Sequence, residues 1–308
     1  MRLIQSRLTK FCKLGECTSH AILSSYGLAP ALLSRFNNGL LYRYVAGKVC
    51  TAKDLSSRDI YLAVAERLGE WHGVLPVGGA QLPAQDSLID PIDPAPTTEN
   101  NLWGILEKWT GALPSDTPAQ AARKRELVDE LRFLTEESGL KGRDGGVGLI
   151  FGHCDLLNGN IIILPEGRTE CVDKPTEVQS LDAGIASRRK VHFIDYEYVF
   201  HNSMGYLVIM ATHPIFLPLI SSFRYATPCE RAFDIANHFS EWGGFECDYS
   251  LLPTQSVRQE FIRSYLQSYH VHRQNEKYPA KVTNEEVEEL VKEVDAFRGL
   301  PGLYWYVT

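Results

Sequence analysis

The stretch "FGHCDLLNGNIII", residues Phe151 to Ile163, places a polar loop between two short apolar runs. The loop contains His153, Asp155 and Asn160, so a histidine precedes the aspartate by two positions and an asparagine follows it by five. The runs "VGLIF" before the loop and "NIIIL" after it are typical of short buried strands. An Asp and an Asn at this spacing often occur by chance, and Asn-Gly-Asn usually marks a turn. The pattern therefore indicates a catalytic site only together with a second feature.

That second feature is the apolar run "KVHFIDYEY", residues 190–198, which predicts a further strand ending on Asp195. Phosphoryl transfer from a nucleotide requires a carboxylate that accepts the hydroxyl proton and oxygen ligands that hold Mg²⁺. The two segments supply both, and we predict Asp155 as the base and Asn160 and Asp195 as magnesium ligands. We expect His153 to orient the loop by hydrogen bonding.

The composition of the 308 residues is ordinary for a globular protein and argues against several kinds of partner. The formal net charge is -7 with no Lys/Arg-rich block, which excludes the usual footprint of a nucleic-acid-binding protein. Seven scattered cysteines without C-x-x-C spacing argue against a disulfide framework and favour the cytoplasm. The most apolar stretch, residues 205–220, is interrupted by prolines and too short to span a bilayer, so no membrane insertion is expected.

Outside the predicted strands the chain has mainly helical patterns. A short helix is predicted over residues 16–26, a hairpin around the turn at 37–39, and an amphipathic helix capped by Ser56 or Ser57. Further helical patterns cover residues 101–109, 119–138, 230–242, 254–270 and 284–297. The sequence therefore predicts an α+β fold, in which a small β-containing N-terminal part precedes a larger and mainly helical part.

Three segments carry a resemblance to a known family: "GHCDLLNGNIII", "VHFIDYEY" and "AFDIANHFSEW". Together they look like the choline/ethanolamine kinase family, and "FNNGLLYRYVAGKVCTAKDL" and "RLGEWHGVLP" resemble its ethanolamine kinase branch in particular. The resemblance implies a protein-kinase-like fold of two lobes. Residues 1–47 would then be what remains of the N-terminal lobe and the hinge, and residues 48–308 the helical C-terminal lobe with the catalytic and metal loops.

The nucleotide site is expected in the N-terminal part of the chain. The resemblance implies that the backbone around Tyr44, Val45 and Ala46 contacts adenine, and that Glu16 pairs with the basic residue that contacts the phosphates. Only fifteen residues precede Glu16, and they include no glycine-rich turn. Because that turn covers the phosphates in a kinase-like fold, we expect an incomplete N-terminal lobe.

Two further departures from the family are expected in the second half of the chain. Residues 199–225 are apolar with little charge and separate the metal strand from the helix that follows it in relatives, so we expect them to be an insert. The chain ends three residues after Trp305, whereas the resemblance implies another helix that closes the acceptor pocket. A truncated or mis-spliced gene explains these departures together with the short N-terminus.

Acids and aromatics after the metal strand are the candidates for the acceptor site. Ethanolamine has N–H donors and needs acceptors as well as aromatic faces, whereas the quaternary head of choline needs mainly an aromatic cage. For Trp242, Trp305 and Glu241, helix packing or a solvated face is an equally good explanation. His72 and His238 are expected to be structural. The candidates are Glu197, Asp234, Glu241, Trp242, Tyr249 and Trp305.

These features together predict an ethanolamine kinase-like enzyme that uses ATP and Mg²⁺ to make phosphoethanolamine, a step toward phosphatidylethanolamine. Choline kinase, or another small-molecule phosphotransferase, is the alternative among enzymes. An inactive fragment that serves as a binding or dimerising module is the alternative from a different class. The expected partners are a small amino alcohol and, as the one candidate protein partner, a second copy of the chain in a homodimer.

Overall fold

The computed structural model describes residues 20, 23–36, 39–75, 77, 101–137, 139–142, 148–166, 190–195, 227–273 and 281–307. Glu16, Glu197 and the predicted insert at 199–225 lie outside the described residues. The strands are β1 (Leu32–Phe36), β2 (Gly39–Tyr42), β3 (Lys48–Val49), β4 (Ile150–Phe151), β5 (Ile161–Ile163), β6 (Val191–Phe193) and β7 (Pro228–Cys229). The helices are α1 (Ala52–Leu55), α2 (Arg58–Val74), α3 (Leu102–Ala112), α4 (Pro118–Arg132), α5 (Arg231–Ser240), α6 (Gln255–Arg273), α7 (Asn284–Ala296) and α8 (Leu300–Val307).

The N-terminal part is a hairpin joined to the helical part by a short extended segment. β1 and β2 are antiparallel, with Phe36 paired to Gly39, as the sequence predicts. Residues 43–46 have no regular secondary structure and lead into β3. Helix α1 then begins with a capping box, in which the Thr51 hydroxyl accepts from the Asp54 N–H and the Asp54 carboxylate accepts from the Thr51 N–H. This cap fixes where the chain enters the helical part.

Two small sheets lie on either side of the polar loop. β5 pairs antiparallel with both β3 and β6 in one sheet, while β4 pairs antiparallel with β7 in the other. β4, β5 and β6 are buried along their whole length, which explains why the sequence shows continuous apolar runs there. Loop 152–160 therefore crosses from one sheet to the other, and both of its ends are anchored in the core.

The two longest helices, α2 and α6, pack closely because α2 has a glycine at their contact. A Cβ atom on Gly69 would lie 2.9 Å from the Cβ atom of Ser268 and would clash with the carbonyl oxygen of Tyr265. Trp71, on the same helix, donates its indole N–H to the carbonyl of Phe151 at 2.8 Å. Helix α2 is thereby tied to α6 and to the strand that begins the polar loop.

The α+β class expected from the sequence is confirmed, and helices form at all the predicted positions that the structure describes. Of the strands and helices given above, β3, β7, α1 and α8 are absent from the sequence-based expectation. β7 is only two residues long, too short for a pattern. Helix α8 contains Pro301 and Gly302, which in isolation indicate a turn, but a proline is tolerated in the first turn of a helix. Among the described residues, no helix is long and apolar enough to cross a membrane.

The close contact of α2 and α6 leads to a prediction about stability. Gly69→Ala should lower the free energy of unfolding by about 1–3 kcal/mol, because the added methyl group forces the helices apart. The matched control is Gly111→Ala in α3, where nothing lies within 4 Å of the added Cβ atom. This control should be neutral or stabilising by up to about 1 kcal/mol. Urea unfolding followed by circular dichroism measures both, and equal midpoints for the two variants would contradict the close packing.

Candidate active site

The loop between β4 and β5 turns sharply at Cys154, whose φ is +60°. A non-glycine residue seldom adopts this left-handed conformation, and it persists where the surroundings hold it. Gly152, two residues earlier, has no room for a side chain: a Cβ atom there would lie 3.0 Å from the sulfur of Cys154 and would overlap the sulfur of Cys229. The loop therefore passes tightly over β7 before it reaches Asp155.

A buried carboxylate beneath the loop holds this turn. Asp234 is 1 % exposed and accepts hydrogen bonds from the backbone N–H groups of His153 (2.9 Å) and Cys154 (2.7 Å). It also accepts from Nε2 of His72 (2.9 Å), while the Tyr265 hydroxyl donates to Nδ1 of His72 (2.9 Å). Burial by itself raises the pKa of Asp234, but the bonds from His72 and His153 bring it below its ordinary value, so the carboxyl is ionised at neutral pH.

The next turn of α5 binds two carbonyl groups of the same loop. Asn237 donates through Nδ2 to the carbonyl of Cys154 (2.9 Å), and His238 donates through Nδ1 to the carbonyl of Leu156 (2.8 Å). Both side chains are fully buried. Because they follow Asp234 by one helical turn, all three lie on one face of α5. A single helix therefore holds the loop backbone on both sides of Asp155.

Two tryptophans in turn hold these two side chains. Nε1 of Trp242 donates to Nε2 of His238 (3.1 Å), and Nε1 of Trp305 donates to Oδ1 of Asn237 (2.8 Å). Burial lowers the pKa of His238 to about 4. The ring is therefore neutral at pH 7, with its proton on Nδ1 and an accepting lone pair on Nε2. Both indole N–H groups thus make hydrogen bonds within the protein.

His153 packs in the core. Its ring lies near Trp71 and Phe193, with centroid distances of 5.5 and 6.0 Å, and the residue is 2 % exposed. Burial lowers the pKa of His153 to about 4, although the negative charge of Asp234 acts in the opposite direction. The ring is therefore neutral at pH 7, and the orienting of the loop by a His153 hydrogen bond stays a prediction from the sequence.

Asp155 and Asn160 are joined within the loop. Nδ2 of Asn160 donates to the carbonyl oxygen of Asp155 (2.8 Å) and, at a longer distance, to Oδ2 of Asp155 (3.3 Å). Since the amide nitrogen of Asn160 is used in this way, its amide oxygen is the atom that it can offer to a cation. Oδ1 of Asp155 is buried without a hydrogen-bond partner among the described residues. A buried oxygen of this kind is costly in a folded protein and points to a ligand or a proton.

The hydrogen-bonded pairing of β5 and β6 brings Asp195 close to Asn160. Ile161 pairs with Phe193, and the N–H of Ile194 donates to the carbonyl of Asn160 at 2.9 Å. Asp195 follows directly after this last bond, with an exposed side chain and a φ of +60°. The polar loop and the end of β6 therefore meet, as the sequence predicts.

The carboxyl groups at this point repel one another. The pKa of Asp155 is raised to about 8, first by burial and then by the negative charges of Asp195 and Glu241. The hydrogen bond from Asn160 acts in the opposite direction. Burial also raises the pKa of Glu241 to about 6. A cation bound among these groups would relieve the repulsion.

The oxygen atoms of Asp155, Asn160 and Asp195 suit Mg²⁺ better than a metal ion whose ligands all come from the protein. In the part of the chain that the structure describes, no group of three or more His, Cys, Asp and Glu side chains could hold a metal ion. Mg²⁺ commonly takes one or two carboxylates and completes its shell with water and phosphate oxygens. The amide oxygen of Asn160 and the carboxylate of Asp195, near the unpartnered Oδ1 of Asp155, would fit such a site.

The predicted hinge residues lie between the hairpin and the helical part. Tyr44, Val45 and Ala46 belong to the extended segment before β3, and within the described residues their backbone makes no hydrogen bond. Tyr44 is 56 % exposed. Unpaired backbone groups at an accessible position are what the edge of an adenine ring requires.

Two of the predicted acceptor residues lie where a substrate does not reach. For Asp234 the structure corrects the expectation, because both carboxylate oxygens are occupied by the loop backbone and His72 inside the core. Trp242 is 1 % exposed and packs against Phe239 and Tyr61. The helix-packing explanation considered for Trp242 is therefore the one that its position supports.

The other acceptor candidates remain accessible to different degrees. Glu241 is half-buried at the start of a short helical turn and lies close enough to Asp155 to influence its pKa. Tyr249 is 78 % exposed on a separate turn. Trp305 is half-buried, and its indole N–H is bonded to Asn237.

Sequence reasoning missed the role of Asn237. A signal was available, because Asp234, Asn237 and His238 follow the i, i+3, i+4 spacing in a helix that is mainly buried. Polar side chains buried in this way need hydrogen-bond partners. Their common face therefore predicts polar partners opposite the helix, either a segment of backbone or a ligand.

Comparison with known proteins adds a family to this geometry. The Choline/ethanolamine kinase family profile matches residues 1–213 and 208–308. These two ranges meet within the segment 199–225, which the sequence predicts to be an insert. Ethanolamine kinase 1 of Homo sapiens is 27 % identical over 296 residues, which cover 94 % of this chain and 51 % of the relative. The ethanolamine kinase of Drosophila melanogaster is 28 % identical over 302 residues, which cover 95 % of this chain and 45 % of the relative.

A solved structure of an ethanolamine kinase from Plasmodium vivax has the same fold. It aligns with a TM-score of 0.61 at 20 % identity, over 97 % of this chain and 66 % of that chain. The chain spans about half the length of the human and Drosophila relatives. Because the family profile covers the chain almost throughout, the chain belongs to the choline/ethanolamine kinase family.

Proposed function

We propose that the chain transfers the γ-phosphoryl group of ATP to the hydroxyl group of ethanolamine in the presence of Mg²⁺. The observation that carries this proposal is the convergence of Asp155, Asn160 and Asp195 where the loop meets the end of the β5–β6 ladder. Phosphoryl transfer needs a carboxylate beside the acceptor hydroxyl and oxygen ligands for magnesium nearby. The curated relatives named above are ethanolamine kinases, which supports the choice of acceptor.

Asp155 is the base in this proposal. The hydroxyl oxygen of ethanolamine forms a bond to the γ-phosphorus while the bond from phosphorus to the ADP oxygen breaks, and Asp155 accepts the hydroxyl proton. Oδ1 of Asp155, without a partner among the described residues, is the atom available for this proton. The pKa of Asp155, about 8, lies close to neutral pH, and a general base is most effective when its pKa is near the working pH.

Asn160 and Asp195 are the residues that would hold Mg²⁺, through an amide oxygen and a carboxylate oxygen. Bound there, the ion would neutralise charge on the phosphate oxygens. The protein's own contribution is to place the two ligands: the bond from the Ile194 N–H to the Asn160 carbonyl and the left-handed backbone at Asp195 keep them at one end of the sheet. The extended segment 43–46 is proposed to receive the adenine.

The acidic character of the site favours an ammonium group that carries N–H donors. Glu241 supplies a half-buried carboxylate near Asp155. Ethanolamine donates hydrogen bonds to such groups, whereas the trimethylammonium of choline needs aromatic faces. Trp242 is buried in the core, so among the described residues carboxylates are more available to a ligand than indole rings. Glu197, outside the described residues, and Tyr249 stay predictions as acceptor contacts.

The proposed site of action is the cytoplasm. The cysteines within the described part of the chain, Cys50, Cys154, Cys229 and Cys247, are all free, which suits a reducing compartment. Both proposed substrates are water-soluble small molecules. A homodimer stays a prediction from the sequence.

The proposal predicts Mg²⁺-dependent release of ADP by the purified chain with ethanolamine, and slower release with choline. Asp155→Asn should reduce the rate roughly 10²–10⁴-fold, because that is the usual contribution of a positioned general base. Asp195→Asn should raise the Mg²⁺ concentration needed for half-maximal rate, because one ligand is weakened. A coupled assay of ADP formation with ethanolamine, with choline and with neither measures these effects.

The matched control for these substitutions is Asp116→Asn, the same chemical change at an exposed position between α3 and α4. It should leave the rate unchanged. Full activity of Asp155→Asn would show that this carboxylate is not the base. If the wild-type chain neither binds nucleotide nor releases ADP, the inactive-fragment alternative is favoured.

The proposal also predicts that Asp155→Asn is more stable than the wild-type chain. Asp155 ionises near its ordinary pKa of 3.8 when unfolded and near 8 when folded, so between these values the folded state binds more protons and loses stability as pH rises. The advantage of the variant should therefore grow between about pH 4 and about pH 8, with an upper bound of about 1.4 kcal/mol for each unit of pKa difference. Thermal unfolding in chelator-containing buffer at both pH values measures it, and an advantage that shrinks with pH would contradict the repulsion.

A further inference from the structure

The indole N–H of Trp305 begins a chain of hydrogen bonds that ends at the residue before Asp155. Trp305 donates to Oδ1 of Asn237 at 2.8 Å, and Nδ2 of Asn237 donates to the carbonyl of Cys154 at 2.9 Å. Trp305 belongs to α8, whereas Asn237 belongs to α5. One buried amide therefore links α8 to the catalytic loop.

The Trp305 N–H determines which way the Asn237 amide faces. The side chain of Asn237 is fully buried, and its two ends have opposite hydrogen-bonding character. If the amide reversed, its NH₂ group would face the indole N–H and its oxygen would face the Cys154 carbonyl, so both contacts would become repulsive. Without the indole donor, one of these two penalties disappears, and the amide is less strictly oriented.

The Cys154 carbonyl is a part of the loop where this orientation matters. Cys154 has a φ of +60°, and its N–H is held by Asp234 at 2.7 Å. Its carbonyl belongs to the peptide group that leads directly into Asp155, so a tilt of this peptide moves the Asp155 carboxyl. Among the described residues, the carboxylate itself accepts only the 3.3 Å bond from Asn160. The position of the carboxyl therefore depends mainly on the backbone.

We propose that Trp305 and Asn237 are positioning residues: Trp305 orients Asn237, and Asn237 fixes the peptide that places Asp155. The kinetic consequences of this proposal rest on the proposed function, whereas its geometric consequences do not. It differs from the acceptor contact that the sequence predicts for Trp305, because it depends on the indole N–H and not on the aromatic face.

Trp305→Phe tests the geometric part, because it keeps an aromatic ring and removes the N–H donor. Hydrogen–deuterium exchange of a peptide covering residues 153–157, measured by mass spectrometry, should become roughly tenfold faster in this variant, as local opening becomes easier. Tyr306→Phe is the matched control on the same helix: it removes a hydroxyl that accepts from Nε of Arg123 at 3.0 Å, on a side chain that is 56 % exposed. The control should exchange like the wild type. Unchanged exchange in Trp305→Phe, or an equal increase in the control, would overturn the proposal.

Steady-state kinetics with ethanolamine separate positioning from substrate contact. Trp305→Phe should lower kcat roughly tenfold with KM for ethanolamine within about twofold of the wild-type value, because the base is misplaced while the acceptor still binds. A raised KM at unchanged kcat would indicate an acceptor contact and overturn the proposal.

A second variant tests whether the two residues act through one chain of bonds. Asn237→Asp replaces the donor that faces the Cys154 carbonyl with an acceptor. Adding Trp305→Phe to Asn237→Asp should cost no further activity, and additive losses would overturn the proposal. Thermal melts establish which variants fold. If Asn237→Asp does not fold, the exchange comparison of Trp305→Phe decides on the proposal. If the wild-type chain transfers no phosphoryl group, the proposed function fails and the exchange comparison alone decides on positioning.

Discussion

The buried carboxylate of Asp234 is the interaction on which the candidate site depends. A charge in the interior is unfavourable unless it is fully hydrogen-bonded. Here the donors come from separate parts of the chain: two backbone N–H groups of the loop, and His72 on α2. Removing any of them would leave the charge poorly compensated. The loop, α2 and α5 therefore have to assemble together, which makes the loop between β4 and β5 part of the core and not a surface connection.

Helix α5 combines core packing with the anchoring of this loop. Residues 231–239 are buried, although several of them are polar. The spacing of Asp234, Asn237 and His238 places them on one face, and their chemistry matches the backbone opposite. The carboxylate accepts from two N–H groups, while the amide and the imidazole donate to two carbonyls. A loop with a left-handed residue is thereby held by side chains where no sheet ladder could form.

The parts of the site that could be predicted from the sequence are those whose signal is local. Asp155, Asn160 and Asp195 stand beside short apolar strands, and a strand determines which residues meet at its end. The same holds for the hairpin and for most helices. β7 carries no such signal, because a two-residue strand exists only through its pairing with β4.

The position of Asp234 could not be predicted in the same way. An acidic residue on a helix after β6 has the same local context whether it faces a ligand or lies beneath the loop. Only the tertiary arrangement, in which β7 brings the start of α5 under the loop, distinguishes the two. The indole rings of Trp242 and Trp305 could equally line a core or a binding pocket. The hydrogen-bond partners of their N–H groups distinguish the two roles, and these partners are known only from the assembled helices.

The loop is held unevenly, and this unevenness suits the chemistry proposed for it. Its backbone from residue 153 to residue 156 is bonded to α5 at four points. The carboxyl of Asp155, in contrast, has one buried oxygen without a partner among the described residues and is repelled by Asp195 and Glu241. A destabilised group of this kind persists only where the surrounding structure over-determines its position. The hydrogen-bonded backbone therefore holds the Asp155 carboxyl in place despite this repulsion. Binding of a proton or a cation relieves the repulsion, and both events belong to the phosphoryl transfer proposed for this site.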